Sequence, residues 1–213
     1  MHDFDNIRSA YERSFQEHGD SPASLLCPKG RQHIRFSAIA PFVTSGRVSI
    51  LDYGCGLGHM FDYLSQNQAD VDYHGVDIVP DFVDACREKH GSSARFDVID
   101  PEQQIEGSYD LVFASGVFNM KSSDDDHVSR EYAFDRIRSL FGISRRALVC
   151  DFLTGYVDFQ QDGAQHFSVA EISDFCVSKL TRRFVIRHDL LPYEFSLIAI
   201  TQDKIVRPDN VYE

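Results

Sequence analysis

The sequence predicts an α/β protein built on a mostly parallel sheet that ends in an antiparallel hairpin. Three observations carry this expectation. Short apolar runs of strand length alternate with segments of helical spacing along most of the chain. A glycine-rich turn joins the first such run directly to a helix, as at the start of a βαβ unit. The last two runs are separated by only six residues, too few for a parallel crossover, so they must pair as a hairpin.

Two helices precede the sheet. Phe4, Ile7, Tyr11 and Phe15 share one helical face, and the turn residues from His18 to Pro22 end that helix. A second helix is expected from about Gln32 to Phe42, with Ile34, Ile39 and Phe42 on its apolar side. The first strand, Val48 to Leu51, runs into Asp52 and then Gly54, Gly56 and Gly58, after which Met60, Phe61 and Leu64 mark a helix. Val71 to Asp77 is the second strand, and Pro80 opens a helix that buries Phe82, Val83 and Cys86. Further strands follow at Ala94 to Asp100, Tyr109 to Ala114 and Ala147 to Cys150, with a helix over Val128 to Phe141. Ser168 and Glu171 form a capping-box signature for a helix starting near Val169. Arg183 to His188 and Phe195 to Thr201 supply the hairpin.

The 213 residues suffice for one sizeable core and are short for two full domains. Acidic residues outnumber Lys plus Arg by 33 to 21, for a net charge of -12, which opposes a nucleic-acid partner. No signal-type or membrane-spanning apolar run exists, so a cytoplasmic protein is expected, with no membrane partner. Cys27, Cys55, Cys86, Cys150 and Cys176 are scattered and contain no C-x-x-C pair, so neither a zinc site nor a disulfide framework is indicated. The run Asp124 to His127 reads as a helix N-terminus, where acids are favourable, rather than as a metal site.

The D-x-G-x-G-x-G spacing places a carboxylate ahead of the turn, where it would repel a pyrophosphate but suits a ligand bearing an amino group or cation. Asp77 follows Gly54 by 23 positions, near the separation at which an acid meets a ribose hydroxyl in nucleotide-binding units. On these residues the chain resembles the class I S-adenosylmethionine-dependent methyltransferases over about residues 47 to 201. The resemblance implies a Rossmann-like three-layer α/β/α sandwich with a seven-stranded, mostly parallel sheet. Residues 1–46 would be a helical cap over the site, and 47–213 the methyltransferase domain. It implies S-adenosylmethionine as cofactor, with S-adenosylhomocysteine (SAH) as product. Asp52, Gly54, Cys55, Gly56 and Gly58 would hold its methionine part, Asp77 its ribose and Ile78 its adenine. Asp100, or alternatively Asp97, would meet the adenine amino group, and Ser115 would lie near the methyl group.

Ligands of open parallel sheets bind beyond the carboxyl ends of the strands. The loops Ser115 to His127, Asp151 to Phe167 and Arg187 to Glu194 should therefore converge on the acceptor. His188 is a candidate base, because imidazole titrates near neutrality, although a structural histidine at a sheet edge reads equally well. Tyr156 and Tyr193 are candidates for the same chemistry. Tyr11, Phe118, Asn119, His166 and Glu194 are candidates for lining the acceptor pocket. The acceptor is expected to be an oxygen or nitrogen atom of a small metabolite or saccharide-type precursor. A protein or tRNA methyltransferase and a non-catalytic cofactor-binding regulator are the alternatives, and a monomer or homodimer is expected.

Overall fold

The computed structural model describes residues 2–26, 31–44 and 46–201. Cys27 lies outside them. Helix α1 (Phe4–His18) and the short α2 (Gln32–Phe36) precede strand β1 (Val48–Tyr53). Then follow α3 (His59–Gln66), β2 (Val71–Asp77), α4 (Pro80–His90), β3 (Arg95–Val98) and β4 (Tyr109–Ala114). The chain continues through α5 (Asp126–Gly142), β5 (Ser144–Thr154), β6 (His166–Phe167), α6 (Val169–Phe175), β7 (Phe184–Leu191) and β8 (Glu194–Ile200). The strand order is β3-β2-β1-β4-β5-β8-β7, with β6 added beside β5. All pairs are parallel except β5 with β8 and β8 with β7. Chain order reverses between β1 and β4, so the ligand crevice expected at a topological switch point opens there.

The sheet is covered on both faces. Ile50, Met60, Leu64, Tyr73, Val83, Phe113 and Val149 pack with Phe36 and Ile39 on the side of α2, α3 and α4. Leu51, Val112, Ile137, Leu140, Leu148, Phe152, Phe167 and Ile172 pack on the side of α5 and α6. Consecutive residues such as Ile50 and Leu51 fall on opposite faces, as strand geometry requires, and burying each such side chain stabilises the fold by roughly 1.5–3 kcal/mol.

Three elements differ from the sequence expectation. The second helix stops at Phe36 and continues as a tighter 3₁₀ turn, Ser37–Phe42, because Pro41 has no N–H to continue an α-helical ladder. Strand β5 does not end at Cys150. It runs on through Asp151 to Thr154, paired with β8 from Ala147↔Ile200 to Leu153↔Glu194. The two-residue β6 pairs with the end of β5 and adds an eighth strand. Elsewhere the capping box of Ser168 and Glu171 is formed, and Asp125 caps α5 by accepting from the backbone N–H of His127 and Val128.

Candidate active site

Strand β1 delivers Asp52 to the crevice with only 2% of its surface exposed. The glycine loop then folds onto the end of β2, since the N–H groups of Gly54 and Cys55 both donate to Val76 O, at 2.8 and 3.0 Å. Gly56 has φ +53°, and a Cβ there would lie 2.8 Å from the Leu25 side chain, so both conformation and space require glycine. The Asp77 carboxylate holds the loop from the other side. It accepts the Gly56 N–H at 2.8 Å and the Val79 N–H at 3.0 Å. Burial pushes its pKa up, while those backbone donors pull it down. Asp52 accepts a hydrogen bond from the Tyr73 hydroxyl. Its pKa is pushed up to about 7, first by burial, with the Tyr73 bond opposing and the charges of Asp77 and Asp151 adding.

These residues open on a cavity of about 690 Å³, inside the ~300–1,000 Å³ range usual for small-molecule sites. One end is apolar and is walled by Ile78, Ile99, Pro101, Phe118 and Tyr132. Helix α1 adds Phe4, Ile7 and Tyr11 to that wall. It is fastened by Arg8 Nε donating to Ile78 O at 3.0 Å and by Asp3 N donating to Ser122 O at 2.7 Å. Tyr11 and Phe15 both meet the Phe82 ring edge-on. The loop after β3 is held by α5, with the Tyr132 hydroxyl donating to Pro101 O at 2.9 Å and Arg136 donating to Gln103 O at 2.7 Å.

The other end is polar. Ser115, Gly116 and Asn119 reach it from the loop after β4, and Pro192, Tyr193 and Glu194 from the β7–β8 turn. Asn119 Oδ1 accepts the Leu153 N–H at 3.1 Å, and Thr154 N donates to Tyr193 O at 3.0 Å, so the loops are tied to β5. Glu194 receives two hydrogen bonds from Arg35 of α2, at 2.5 and 2.7 Å.

Of the residues singled out from sequence, the cavity wall thus gathers Asp52, Gly54, Cys55, Gly56, Asp77, Ile78, Ser115, Tyr11, Phe118, Asn119, Tyr193 and Glu194. Five others stand elsewhere. Gly58 serves packing, because a Cβ there would lie 3.0 Å from His90 Nε2 and 3.2 Å from Cys86 Sγ. Asp100 is exposed and turned onto its own loop, accepting the Glu102 N–H at 2.8 Å. Its alternative, Asp97, is engaged by His74 at 3.0 Å and Arg95 at 2.6 Å. His188 is exposed on the edge strand β7 and stacks on Tyr156, itself 71% exposed, so neither lines the cavity. His166 bonds through Nδ1 to Thr154 O at 2.8 Å and also lies off the wall. The sequence reading missed Arg35, Asp151 and Gln165. Asp151 repeats the signal that marked Asp52 and Asp77, a carboxylate inside an apolar strand near its carboxyl end. Arg35 carries no local signal. Buried Gln165 donates from its backbone N to Asn119 O at 2.9 Å and so braces the acceptor-side loop.

The site fits a cofactor with an amino acid end and a nucleoside end. A buried acid beside a glycine loop suits an ammonium group, a second acid at the end of β2 suits vicinal hydroxyls, and the apolar end suits a base. Residues 51–136 match the family model described as a methyltransferase domain. A Mycobacterium tuberculosis protein named as a methyltransferase is 29% identical over 153 residues, which cover 71% of this chain and 92% of that one. Among solved structures, magnesium protoporphyrin IX methyltransferase from Synechocystis with bound SAH superposes with a TM-score of 0.68 at 18% identity, covering 94% of this chain and 100% of that one. A plantazolicin methyltransferase in complex with a substrate analog and SAH gives 0.64 at 15% identity, over 92% and 96% of the two chains. At those identities the solved structures speak for the fold. Fold and site together define an enzyme that uses S-adenosylmethionine. In its matched segment and in its fold the chain is similar to the class I S-adenosylmethionine-dependent methyltransferases.

Proposed function

We propose that the enzyme methylates an oxygen or nitrogen atom of a small metabolite or saccharide-type precursor. The observation that carries this reading is the cavity of about 690 Å³, lined both by the residues proposed for the cofactor and by Ser115, Asn119, Tyr193 and Glu194 from neighbouring loops. The net charge of -12 also disfavours a polyanionic acceptor such as tRNA.

In this reading Asp52 binds the amino group of the cofactor and Asp77 its ribose, while Ile78, Ile99, Pro101 and Tyr132 enclose the adenine. Bound S-adenosylmethionine supplies an electrophilic methyl group on a sulfonium. The chain's part is to aim the acceptor and exclude water, which can provide much of the rate of an in-line displacement. Residues 1–46 act as the cap, with α1 closing the adenine end and α2 presenting Arg35 to the acceptor end. Tyr193 and Glu194 are the groups placed to touch the acceptor, and Glu194 can take its proton where it must lose one.

The test is a screen with isotopically labelled S-adenosylmethionine against separated metabolite, tRNA and protein fractions, read by mass spectrometry. Label in the low-molecular-weight fraction is expected. Label confined to protein or tRNA would overturn the acceptor class and leave the methyltransferase assignment standing.

A further inference from the structure

A cluster of charge stands at the polar end of the cavity. Arg35 and Glu194 form a bidentate pair whose side chains are only 14% and 18% exposed. Asp151 of β5 is 3% exposed. Its Oδ1 accepts the Gly116 N–H at 2.8 Å, its Oδ2 is buried, and the Ser115 side chain also interacts with the carboxylate. Asp151 feels the charges of both Arg35 and Glu194, and Asp52 in turn feels the charge of Asp151. A second carboxylate, held by the Gly116 N–H, thus lies within electrostatic reach of the Arg35–Glu194 pair, and Asp52 lies within reach of Asp151. A buried carboxylate is costly to keep charged. The cost falls when a cation enters the neighbouring space, because Coulomb attraction is strong where water is excluded.

We propose that Asp151 and the Arg35-paired Glu194 form a charge-selective wall at the transfer end of the cavity, which binds a ligand cationic at the sulfur position in preference to its uncharged thioether counterpart. The proposal rests on the methyltransferase assignment. Glu194 lines the space itself, whereas Asp151 acts from behind Gly116 as a positioning residue. Such a wall favours the charged donor, and it loosens the neutral product once the methyl group has left.

The test needs no knowledge of the acceptor. SAH is a neutral thioether at the relevant atom, whereas sinefungin carries a protonated amine there and is otherwise closely similar. Calorimetry on the full chain compares both ligands with wild type, Asp151→Asn and Glu194→Gln. Each variant should weaken sinefungin by about tenfold while changing SAH by less than about twofold, since the long-range charge term applies to one ligand alone. Interactions common to both ligands, including those of Asp52, cancel in the ratio. An unchanged sinefungin-to-SAH ratio in both variants overturns the proposal, and so does an equal loss of both ligands, which indicates a purely structural role. If thermal melts show that Asp151→Asn does not fold, Glu194→Gln decides alone. Failure of wild type to bind either ligand would instead strike the cofactor assignment.

Discussion

In its proposed role beside the cofactor's amino group, Asp52 couples binding to pH. Burial dominates its environment and pushes its pKa up to about 7, against an ordinary value of 3.8. Near neutrality the empty site therefore holds a mixture of carboxyl and carboxylate. A ligand ammonium beside Asp52 stabilises only the carboxylate, so binding below pH 7 must expel a proton. If only the ionised form binds, SAH affinity at about pH 6 is about tenfold weaker than at about pH 8, following the ionised fraction. Titration calorimetry in buffers of different ionisation enthalpy reads the proton directly. At the lower pH the heats should differ by close to one proton per site, and at the higher pH by almost none. Asp52→Asn should remove both the proton release and the pH slope. The same linkage acts on stability with the opposite sense. A carboxyl raised on folding stabilises the protein fully below about 3.8, and that contribution is lost as pH rises through about 7. The empty protein should therefore lose thermal stability between about pH 5 and 8, and saturation with SAH should flatten that slope. An SAH affinity independent of pH across this window, or proton release that persists in Asp52→Asn, would refute the argument.

Three further outcomes are expected. Asp77→Ala removes the acceptor of the Gly56 and Val79 N–H groups as well as the proposed ribose contact, and should weaken SAH by roughly 1.5–3 kcal/mol in calorimetry; equal affinity would take Asp77 out of the site. Gly56→Val places a branched side chain at φ +53° against Leu25, so it should abolish SAH binding and lower the melting temperature by a few degrees, at roughly 1–2 kcal/mol of backbone strain; a variant that still binds would reduce the loop to a turn. On the acceptor found by the labelled screen, Tyr193→Phe and Glu194→Gln should lower turnover with little effect on SAH affinity, while His188→Ala should leave turnover near wild type. The reverse ranking would return the base to His188.

The fold was largely legible because strand-length apolar runs, glycine turns and proline-opened helices are local signals. Asp52 and Asp77 were legible for the same reason, each ending a run just before a turn. Asp151 carried the same mark, but it read as the residue after a strand, because the pairing that extends β5 to Thr154 comes from β8, more than forty residues downstream. Arg35 meets Glu194 across 159 positions, and no local pattern announces such a pair. His188 failed differently. Its place in the first strand of the terminal hairpin is as expected, but β7 is the outermost strand, and the side chain is exposed beside Tyr156 and does not line the crevice. Sequence places a residue on a strand; only the strand order says whether that strand borders the site.

Asp77 explains why the cofactor site can be ready before any ligand arrives. An ionised carboxylate offers about four acceptor directions, and here two are taken by the N–H groups of Gly56 and Val79. Those two bonds fix the glycine loop against the turn that carries Ile78, so the residues proposed for methionine, ribose and adenine are set by one side chain. The Ile78 backbone also interacts with this carboxylate, and the acceptor capacity left over is what the proposed ribose contact would use. Much of the ordering that binding would otherwise require is thus already done in folding. Placing that ordering on Asp77 ties the shape of the glycine loop to the group proposed to recognise the sugar, so a change at Asp77 is expected to disturb both ends of the cofactor site at once.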